Sequence, residues 1–133
     1  MIALLDTHVV IWLATADASL GKSSRNLIDA AAQSGALAVS AISFWEIALL
    51  IEKGRLQTSL AAEELRNQVL QSGMVEIPLT GDVAVLSTQL TLHADLADRF
   101  IAASAISHGA TLLTADDRLL RWKHALKRYN ARR

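Results

Sequence analysis

The sequence predicts an α/β fold in which a short parallel sheet of four to five strands is covered by helices on both faces. Short apolar runs alternate along the chain with longer segments whose apolar residues recur at helical spacing. This alternation favours a parallel sheet with right-handed crossovers. Hydrophobic residues form 52% of the chain and aromatic residues only 5%, so aliphatic side chains must fill most of the core. No repeat or linker-like tract interrupts the 133 residues, and we expect a single domain over residues 1–133.

Four short apolar segments predict the strands. They are residues 2–5, 37–39, 75–79 and 111–113. Continuous apolar runs of this length are typical of strands that are buried on both faces. Pro78, the only proline, lies in the third segment. Because proline cannot donate to a strand ladder, it predicts an edge strand or the end of a strand at that point.

Apolar residues at helical spacing predict the helices, and four of these helices are followed by a glycine. The predicted helices cover residues 7–14, 19–34, 42–53, 59–72, 82–90, 95–108 and 116–122. Glycine is favoured directly after a helix because it adopts the left-handed conformation without steric cost. Ser59 is the predicted N-cap of the fourth helix. No regular element is predicted beyond residue 122.

Charge is unevenly distributed although the formal net charge is zero. No acid follows Asp117, so the chain before Arg118 carries 13 acids against six bases, a net charge of −7. The basic residues of the tail are Arg118, Arg121, Lys123, Lys127, Arg128, Arg132 and Arg133. A basic tail on an acidic body suggests either a guide for a polyanion or pairing within the molecule. The aromatic Trp122 and Tyr129 lie within this tail, and bases of single-stranded RNA stack on such side chains.

Composition also indicates the cellular compartment of the protein and the types of metal site that it can form. The chain has no cysteine, which rules out disulfides and thiolate metal sites and fits a reducing cytoplasm. The N-terminal apolar run is interrupted at residues 6–8 and no basic residue precedes it, which argues against a signal peptide. No apolar run approaches the ~20 residues that a membrane span needs. We therefore expect a cytoplasmic protein that is not inserted in a membrane.

Four acids are predicted to meet at one edge of the sheet. Asp6 directly follows the first strand, and Asp116 comes shortly after the last predicted strand. Glu46 lies in the second turn of the helix after the second strand, and Asp98 lies in the first turn of its helix. Ligands in open α/β sheets bind beyond the carboxyl ends of the strands. The strand that precedes the helix of Asp98 cannot be placed from the sequence.

Each of these acids also has a structural interpretation. Asp6, Asp116 and either Asp95 or Asp98 are suitable helix caps, and Ser43 with Glu46 forms the pattern of a capping box. As a set, however, the acids have apolar neighbours and few basic ones. Two carboxylates about 4 Å apart repel by roughly 4 kcal/mol at an effective dielectric of 20. Either one of them takes a proton or a divalent cation lies between them, and oxygen ligands suit Mg²⁺ or Mn²⁺ rather than Zn²⁺.

Five motifs in this order resemble one family. They are LLDTHVVIWL at residues 4–13, SAISFWEIALLIEKGRL at 40–56, IPLT at 77–80, LHADLADRFIAASA at 92–105 and LLTADDRLL at 112–120. The chain resembles PIN-domain ribonucleases of the VapC type, the toxin half of bacterial type II toxin–antitoxin pairs. The resemblance implies a PIN-like three-layer fold, Mg²⁺ as cofactor with Mn²⁺ as a substitute, RNA as substrate, a homodimer and a cognate antitoxin as partner.

The same resemblance assigns residues. It carries the family's acidic site to Asp6, Glu46, Asp98 and Asp116, with Asp95 as a further acid beside them. Many relatives have proline where this chain has Leu96, so the start of that helix is expected to be looser. The implied mechanism is hydrolysis by a metal-activated water, which leaves a 5′-phosphate and a 3′-hydroxyl.

Other residues are candidates for supporting roles. Thr7 and Thr114 could hold water at the site or cap the backbone, and Arg99 could pair with an acid or contact phosphate. His8 and His93 are interpreted as structural because metal-assisted hydrolysis needs neither. The tail residues considered for RNA binding are Lys127, Arg128, Arg132 and Arg133. An apolar groove along residues 42–56 and 59–72, with Trp12 and Trp45 as anchors, would suit an antitoxin helix.

Three other functions each require a feature that differs from this sequence. A receiver-like signalling domain needs a lysine at the end of a late strand, where this chain has Thr114 and Ala115. A haloacid-dehalogenase-type phosphatase needs a second aspartate two residues after the first, where this chain has His8. A non-cleaving PIN-fold RNA-binding protein is expected to lack some of the acids, and all four are present.

Overall fold

The computed structural model describes residues 1–133 and confirms the predicted α/β fold. The five strands are β1 Ala3–Leu5, β2 Leu37–Ser40, β3 Val75–Ile77, β4 Thr111–Thr114 and β5 Arg128–Asn130. The seven helices are α1 Thr7–Thr15, α2 Lys22–Gln33, α3 Ala41–Glu52, α4 Ala62–Gln71, α5 Gly81–Gln89, α6 Leu96–His108 and α7 Asp117–Leu120. None of these helices combines the length and the apolar character that a membrane span requires.

The sheet is fully parallel, with strand order β3-β2-β1-β4-β5. Strand β1 lies in the centre, where Leu5 is in register with Val39 of β2 and with Leu113 of β4. Because all strands run the same way, their carboxyl ends share one edge. Asp6, the residue after β1, therefore lies between the ends of its two neighbouring strands.

Helices cover both faces of this sheet and form two buried cores. Ala3 and Leu5 face one core, which includes α1, α2 and α4, while Leu4 faces the other. The second core contains a row of alanines on α6, and Ala102 and Ala105 are fully buried in it. Small side chains let this helix lie close to the sheet, so that its first turn reaches the sheet edge.

The edge strand β5 was not predicted. Arg128–Asn130 has no apolar run, and its residues are only half-buried. The strand forms because its backbone pairs with β4, with Leu113 in register with Tyr129. Backbone pairing of this kind leaves no periodic signal in the side chains. The predicted role of Pro78 is confirmed, because it directly follows edge strand β3.

Two predicted helix starts, those of α4 and α2, were three residues too early, and the other five lie within one residue of the structure. Helix α4 begins at Ala62 with Ala61 as N-cap, so Ser59 does not cap it. Helix α3 begins at Ala41 and is capped by Ser40, whose Oγ accepts from the backbone N–H of Ile42 at 3.2 Å. Helix α2 begins at Lys22, three residues after the predicted start. In α4 the Glu64 carboxylate accepts from the backbone N–H of Ala61 at 3.1 Å, while no side chain of the N-cap accepts from the first turn.

Candidate metal centre

Asp6 is fixed at the carboxyl end of the central strand by partners on both sides. It is 2% exposed and caps helix α1, where Oδ1 accepts from the backbone N–H of Thr7 at 2.8 Å. Its other oxygen, Oδ2, accepts from the Thr114 hydroxyl at 2.6 Å. The Nδ1 atom of His8 lies 3.6 Å from the same oxygen. The predicted capping role is therefore present, and it leaves the second oxygen directed toward β4.

Glu46 reaches the same edge from the second turn of α3. Its Oε1 lies 2.5 Å from the hydroxyl of Thr7, which in turn lies 2.8 Å from Oγ of Ser43. Ser43 is inside the helix and contacts Thr7, so the capping-box interpretation of Ser43 and Glu46 is wrong. Burial raises the pKa of Glu46 to about 7; the Thr7 hydrogen bond opposes the shift, and the charges of Asp6, Asp95 and Asp98 add to it.

Asp98 lies in the first turn of α6 and is 8% exposed. Asp95 caps this helix, and its Oδ1 accepts from the backbone N–H of Asp98 at 3.0 Å. Oδ2 of Asp98 lies 2.5 Å from Nε2 of His93 and 3.5 Å from the Arg118 guanidinium. Burial raises the pKa of Asp98 to about 6, and the charges of Asp6, Asp95 and Asp116 act in the same direction against the His93 hydrogen bond.

Asp116 caps the short helix α7 and is paired with an arginine of its own chain. Its Oδ1 accepts from the backbone N–H of Arg118 at 2.8 Å, and Oδ2 lies 3.0 Å from the Arg118 guanidinium. Its own backbone N–H donates to the Thr114 hydroxyl at 3.0 Å. Burial alone would raise the pKa of Asp116, but the hydrogen bonds and charge of Arg118 outweigh burial and lower it.

These contacts bring the four predicted acids to one sheet edge. One ligand atom each from His93, Asp98 and Asp116 lies within 4.8 Å of the other two, which is close enough for one ion. Asp6 and Glu46 adjoin this group, since the Thr114 hydroxyl bonds both Asp6 and the backbone of Asp116, and Glu46 contacts Thr7, the residue after Asp6. Carboxylates gathered at a half-buried edge fit a divalent cation, because burial and neighbouring carboxylates disfavour their charged forms and a cation favours them.

The supporting residues have varied positions. Thr7 and Thr114 contact the acids directly, as described above, and both are buried. Arg99 does not pair with an acid. Its guanidinium donates to the backbone carbonyls of Ser87, Leu90 and Leu92, which fixes the segment between α5 and α6. Helix α6 begins at Leu96 in spite of the missing proline, because Asp95 supplies the cap.

Two residues at the site have contacts that the sequence interpretation did not assign to them. His93 was interpreted as structural, yet Nε2 contacts Asp98. Arg118 was counted only as part of the basic tail, yet it contacts both Asp98 and Asp116. The short spacing of His93 from Asp98 and of Arg118 from Asp116 is the only signal in the sequence that could have indicated either contact.

Much of the basic tail is used inside the molecule. Arg128 donates to the carbonyls of Leu119 and His124, and Arg132 donates to the carbonyl of Ala115 at 2.9 Å and lies over the Trp12 ring. Trp122 is 8% exposed and belongs to a core, so it is not available for stacking on a base. Lys127 and Arg133 are exposed.

An apolar groove is present, and it overlaps the predicted one in part: residues between 56 and 72 line it, whereas none from 42–55 does. A cavity of about 440 Å³ lies between α1, α2 and α4 and has 12 hydrophobic residues among its 18 lining residues. Neither Trp12 nor Trp45 lines it. Trp45 is 47% exposed and lies instead beside Glu46 and Leu96 in a separate pocket of about 300 Å³.

The central strand is followed by the buried Asp6, and further acids reach the same sheet edge from α3, α6 and the end of β4. This is the arrangement that the resemblance to PIN-domain nucleases predicts. A family model described as "PIN domain" matches residues 3–124, which is most of the chain. The comparison therefore agrees with the class that the resemblance predicts.

Similarity to individual proteins shows to which group of PIN-domain proteins the chain belongs. The chain is 34% identical to Ribonuclease VapC22 of Mycobacterium tuberculosis over 123 residues, which cover 91% of this chain and 92% of that protein. Two solved structures share its fold. The first is VapBC2 from Rickettsia felis bound to a promoter DNA fragment, with a TM-score of 0.72 and 22% identity, and the match covers 98% of both chains. The second is DNA-bound VapBC from Salmonella typhimurium, with a TM-score of 0.70 and 19% identity, and the match covers 97% of both chains. The chain belongs to the PIN-domain family, and within it to the VapC-type ribonucleases.

Proposed function

We propose that this protein is a metal-dependent endoribonuclease that acts as the toxin of a type II toxin–antitoxin pair. The observation that carries the proposal is the convergence of Asp6, Glu46, Asp98 and Asp116 at one sheet edge. Burial and mutual repulsion raise the pKa of two of these acids, and Arg118 is the only arginine or lysine paired with any of the four. A site of this kind gains most from a divalent cation.

The proposed metal ligands are these four acids, with Mg²⁺ as cofactor and Mn²⁺ as a substitute. Hard cations of this size take carboxylate oxygens, which the site supplies. Such an ion supplies Lewis-acid chemistry, because it offsets charge on the phosphodiester and makes a water nucleophilic near neutral pH. One ion or two would be compatible with the number of carboxylates.

The remaining residues of the site hold the acids in place. The Thr114 hydroxyl links Asp6 to the backbone of Asp116, and the Thr7 hydroxyl orients Glu46. Asp95 fixes the first turn of α6 and adds negative charge near Asp98. Side chains whose rotamers are fixed by such partners keep their geometry when substrate binds, which lowers the cost of reaching the transition state.

The reaction that we propose is in-line hydrolysis of an RNA phosphodiester. Water attacks phosphorus, the bond from phosphorus to the 3′ oxygen breaks, and that oxygen takes a proton as it leaves. The products are a 5′-phosphate and a 3′-hydroxyl. A 2′,3′-cyclic phosphate would instead show that the 2′-hydroxyl attacks, which would contradict the proposal.

Within the basic tail, we propose that Lys127 and Arg133 contact the RNA backbone directly. Arg128 and Arg132 would add to the positive potential while their guanidinium groups stay on backbone carbonyls. Neutralising Lys127 and Arg133 should weaken RNA binding and flatten its dependence on salt. Unchanged salt dependence would limit the tail to a structural role.

The proposed partners are a cognate antitoxin and a second copy of the chain in the cytoplasm. The two solved neighbours described above are VapBC structures bound to DNA, a form that supports an antitoxin partner. The apolar cavity between α1, α2 and α4 offers the hydrophobic surface that an amphipathic segment needs. The exposed side chains of Trp45 and Leu96, which line one pocket, are a suitable surface for a homodimer.

The test is cleavage of a mixed RNA panel by purified, antitoxin-free protein. Reactions contain Mg²⁺, Mn²⁺ or EDTA, and Asp98→Asn is run beside the unchanged chain. We expect cutting that depends on metal and that the variant lacks. Equal cutting by Asp98→Asn would indicate a contaminating nuclease. RNA binding without any cutting, in protein shown to bind Mn²⁺, would indicate a non-cleaving PIN-fold protein.

A further inference from the structure

We infer that His93 is a metal ligand, so that one ion is held by the His93 imidazole together with Asp98 and Asp116. This inference rests on the proposed metal-dependent function and deepens it, because it adds a nitrogen donor to a site otherwise made of carboxylates. A nitrogen donor would shift the preference of the site from Mg²⁺ toward Mn²⁺.

The geometry around His93 is that of a ligand cluster. Its Nε2 lies 2.5 Å from Oδ2 of Asp98, and within 4.8 Å of a ligand atom on Asp116. The three residues come from three separate parts of the fold: the segment before α6, the first turn of α6 and the end of β4. The His93 side chain is 18% exposed, so it lies in the site and still leaves access for an ion.

The backbone before His93 is held more firmly than a simple connection requires. Arg99 donates to the carbonyls of Leu90 and Leu92, and the Trp122 indole N–H donates to the carbonyl of Thr91 at 2.9 Å. Three successive carbonyls are thus fixed by side chains from α6 and from the segment after α7. This arrangement presents the imidazole to the acids in one position, which a ligand needs and a surface histidine does not.

Helix capping does not explain the position of His93. Asp95 already caps α6 and holds the backbone of Asp98, so His93 is not needed for that purpose. The other nearby histidine, His8, is occupied differently, because its Nε2 accepts from the backbone N–H of Ala115 at 3.0 Å. The Nδ1 atom of His8 lies 3.6 Å from Oδ2 of Asp6, a single carboxylate, whereas Nε2 of His93 lies within 4.8 Å of ligand atoms on both Asp98 and Asp116.

An ion can enter this cluster with small local changes. Neighbouring ligand atoms on an octahedral ion with bonds of about 2.1 Å lie roughly 3 Å apart, so His93 and Asp98 would separate by about half an ångström. The Arg118 guanidinium, which contacts Asp98 and Asp116, is on a side chain that is 59% exposed and can move into solvent. A divalent charge replaces it readily, since exposed ion pairs are weak.

Nitrogen coordination can be detected directly. Pulsed electron paramagnetic resonance of bound Mn²⁺ shows a nitrogen coupling when an imidazole is a ligand. We expect this coupling in the unchanged protein, its loss in His93→Gln, and its retention in His8→Gln and in His108→Gln, a control on α6 away from the acids. Loss in His8→Gln with retention in His93→Gln would assign the ligand to His8 and overturn the inference.

A second measurement compares the two ions by calorimetric titration. Loss of a residue that only orients a ligand already costs roughly ten- to a hundredfold in affinity, so His93→Gln should weaken Mn²⁺ binding at least about tenfold. Mg²⁺ binding should weaken less, and the Mn²⁺ preference should fall. Mn²⁺ binding without nitrogen coupling would refute the inference and leave the carboxylate site intact. A protein that binds neither ion would overturn the proposed function as well.

Discussion

The candidate site has two halves that are stabilised in different ways. In the first, Asp6 and Glu46 are held by the hydroxyls of Thr114 and Thr7, which are buried and belong to the edge of the core. In the second, Asp98 and Asp116 are held by His93 and by Arg118, which is largely exposed. The first half is held by buried, neutral hydroxyl groups. The second half includes the Arg118 guanidinium, which is exposed and can move into solvent.

This difference indicates how the protein itself balances the charge of the acid cluster. The hydroxyl-bound half is fixed in geometry but contains no cation, and burial, with added repulsion from neighbouring acids, raises the pKa of Glu46 to about 7. The cation-bound half is partly neutralised, so the pKa of Asp116 is lowered although that of Asp98 is raised. We therefore expect loss of Asp6 to cost stability as well as ion binding, and loss of Asp98 to weaken ion binding without a cost in stability.

The largest expected effect comes from replacing one acid in each half by its amide. Asp6→Asn and Asp98→Asn should each lower RNA cleavage at least about a hundredfold, because a lost ligand costs more than a lost ligand-orienting residue. Their metal-free thermal stabilities should move in opposite directions at pH 8. Asp6→Asn keeps only one acceptor oxygen, so it loses either the bond from the Thr7 N–H or the bond from the Thr114 hydroxyl, at a cost of about 1 kcal/mol. Asp98→Asn instead removes a repelled charge.

Differential scanning fluorimetry in EDTA checks the two stabilities, and cleavage of a labelled RNA checks activity. Asp117→Asn is a matched control, because Asp117 is exposed at the start of α7 and contacts none of the four acids through its side chain. Destabilisation by both Asp6→Asn and Asp98→Asn would remove the distinction between the two halves.

The next effect is the pH dependence of the metal-free protein. The folded pKa of Glu46 is about 7 against an ordinary 4.5, and that of Asp98 is about 6 against 3.8. At a pH between the ordinary and the folded pKa of each group, the folded state binds more protons than the unfolded state. The free energy of unfolding therefore falls as pH rises through this range. Metal binding should release protons and reverse the trend. Thermal unfolding in EDTA from pH 5 to pH 8 measures it.

Glu46→Gln is the matched variant for this pH effect. It keeps an oxygen that can accept from Thr7 but removes the titrating group, so the fall in stability with pH should be shallower than in the unchanged protein. A variant whose stability changes with pH as steeply as before would show that Glu46 does not cause the effect.

The sequence predicted the acids better than the contacts that hold them. Asp6 and Asp116 could be placed because each follows a buried strand, and parallel strands bring their carboxyl ends together. The contacts of His93 and Arg118 depend on how α6 and α7 meet at the sheet edge, and that arrangement results from tertiary packing. Strand β5 was missed for the related reason that its backbone, rather than its side chains, determines its pairing.

Thr114 connects the two halves and should give an intermediate effect. Its hydroxyl donates to Asp6 and accepts from the backbone N–H of Asp116. Thr114→Val leaves both groups without this partner, which should cost about 1–3 kcal/mol of stability and roughly ten- to a hundredfold in metal affinity. Thr114→Ser keeps the hydroxyl and should retain most of both. Chemical denaturation measures the stability of both variants, and Mn²⁺ titration measures their metal affinity. Equal losses in Thr114→Val and Thr114→Ser would show that the hydrogen bonds of the hydroxyl are not the cause.

The smallest effect is expected at Arg118, and its sign distinguishes the halves most directly. Because this guanidinium occupies the cluster that an ion would enter, Arg118→Gln should tighten Mn²⁺ binding by roughly two- to fivefold at low salt. Arg118→Lys keeps the charge and should resemble the unchanged protein. The gain should diminish as salt is added, because an exposed charge is screened. Weaker Mn²⁺ binding in Arg118→Gln would mean that the arginine supports the ion rather than competing with it. Arg118 would then not be a cation that the metal ion replaces in the second half of the site.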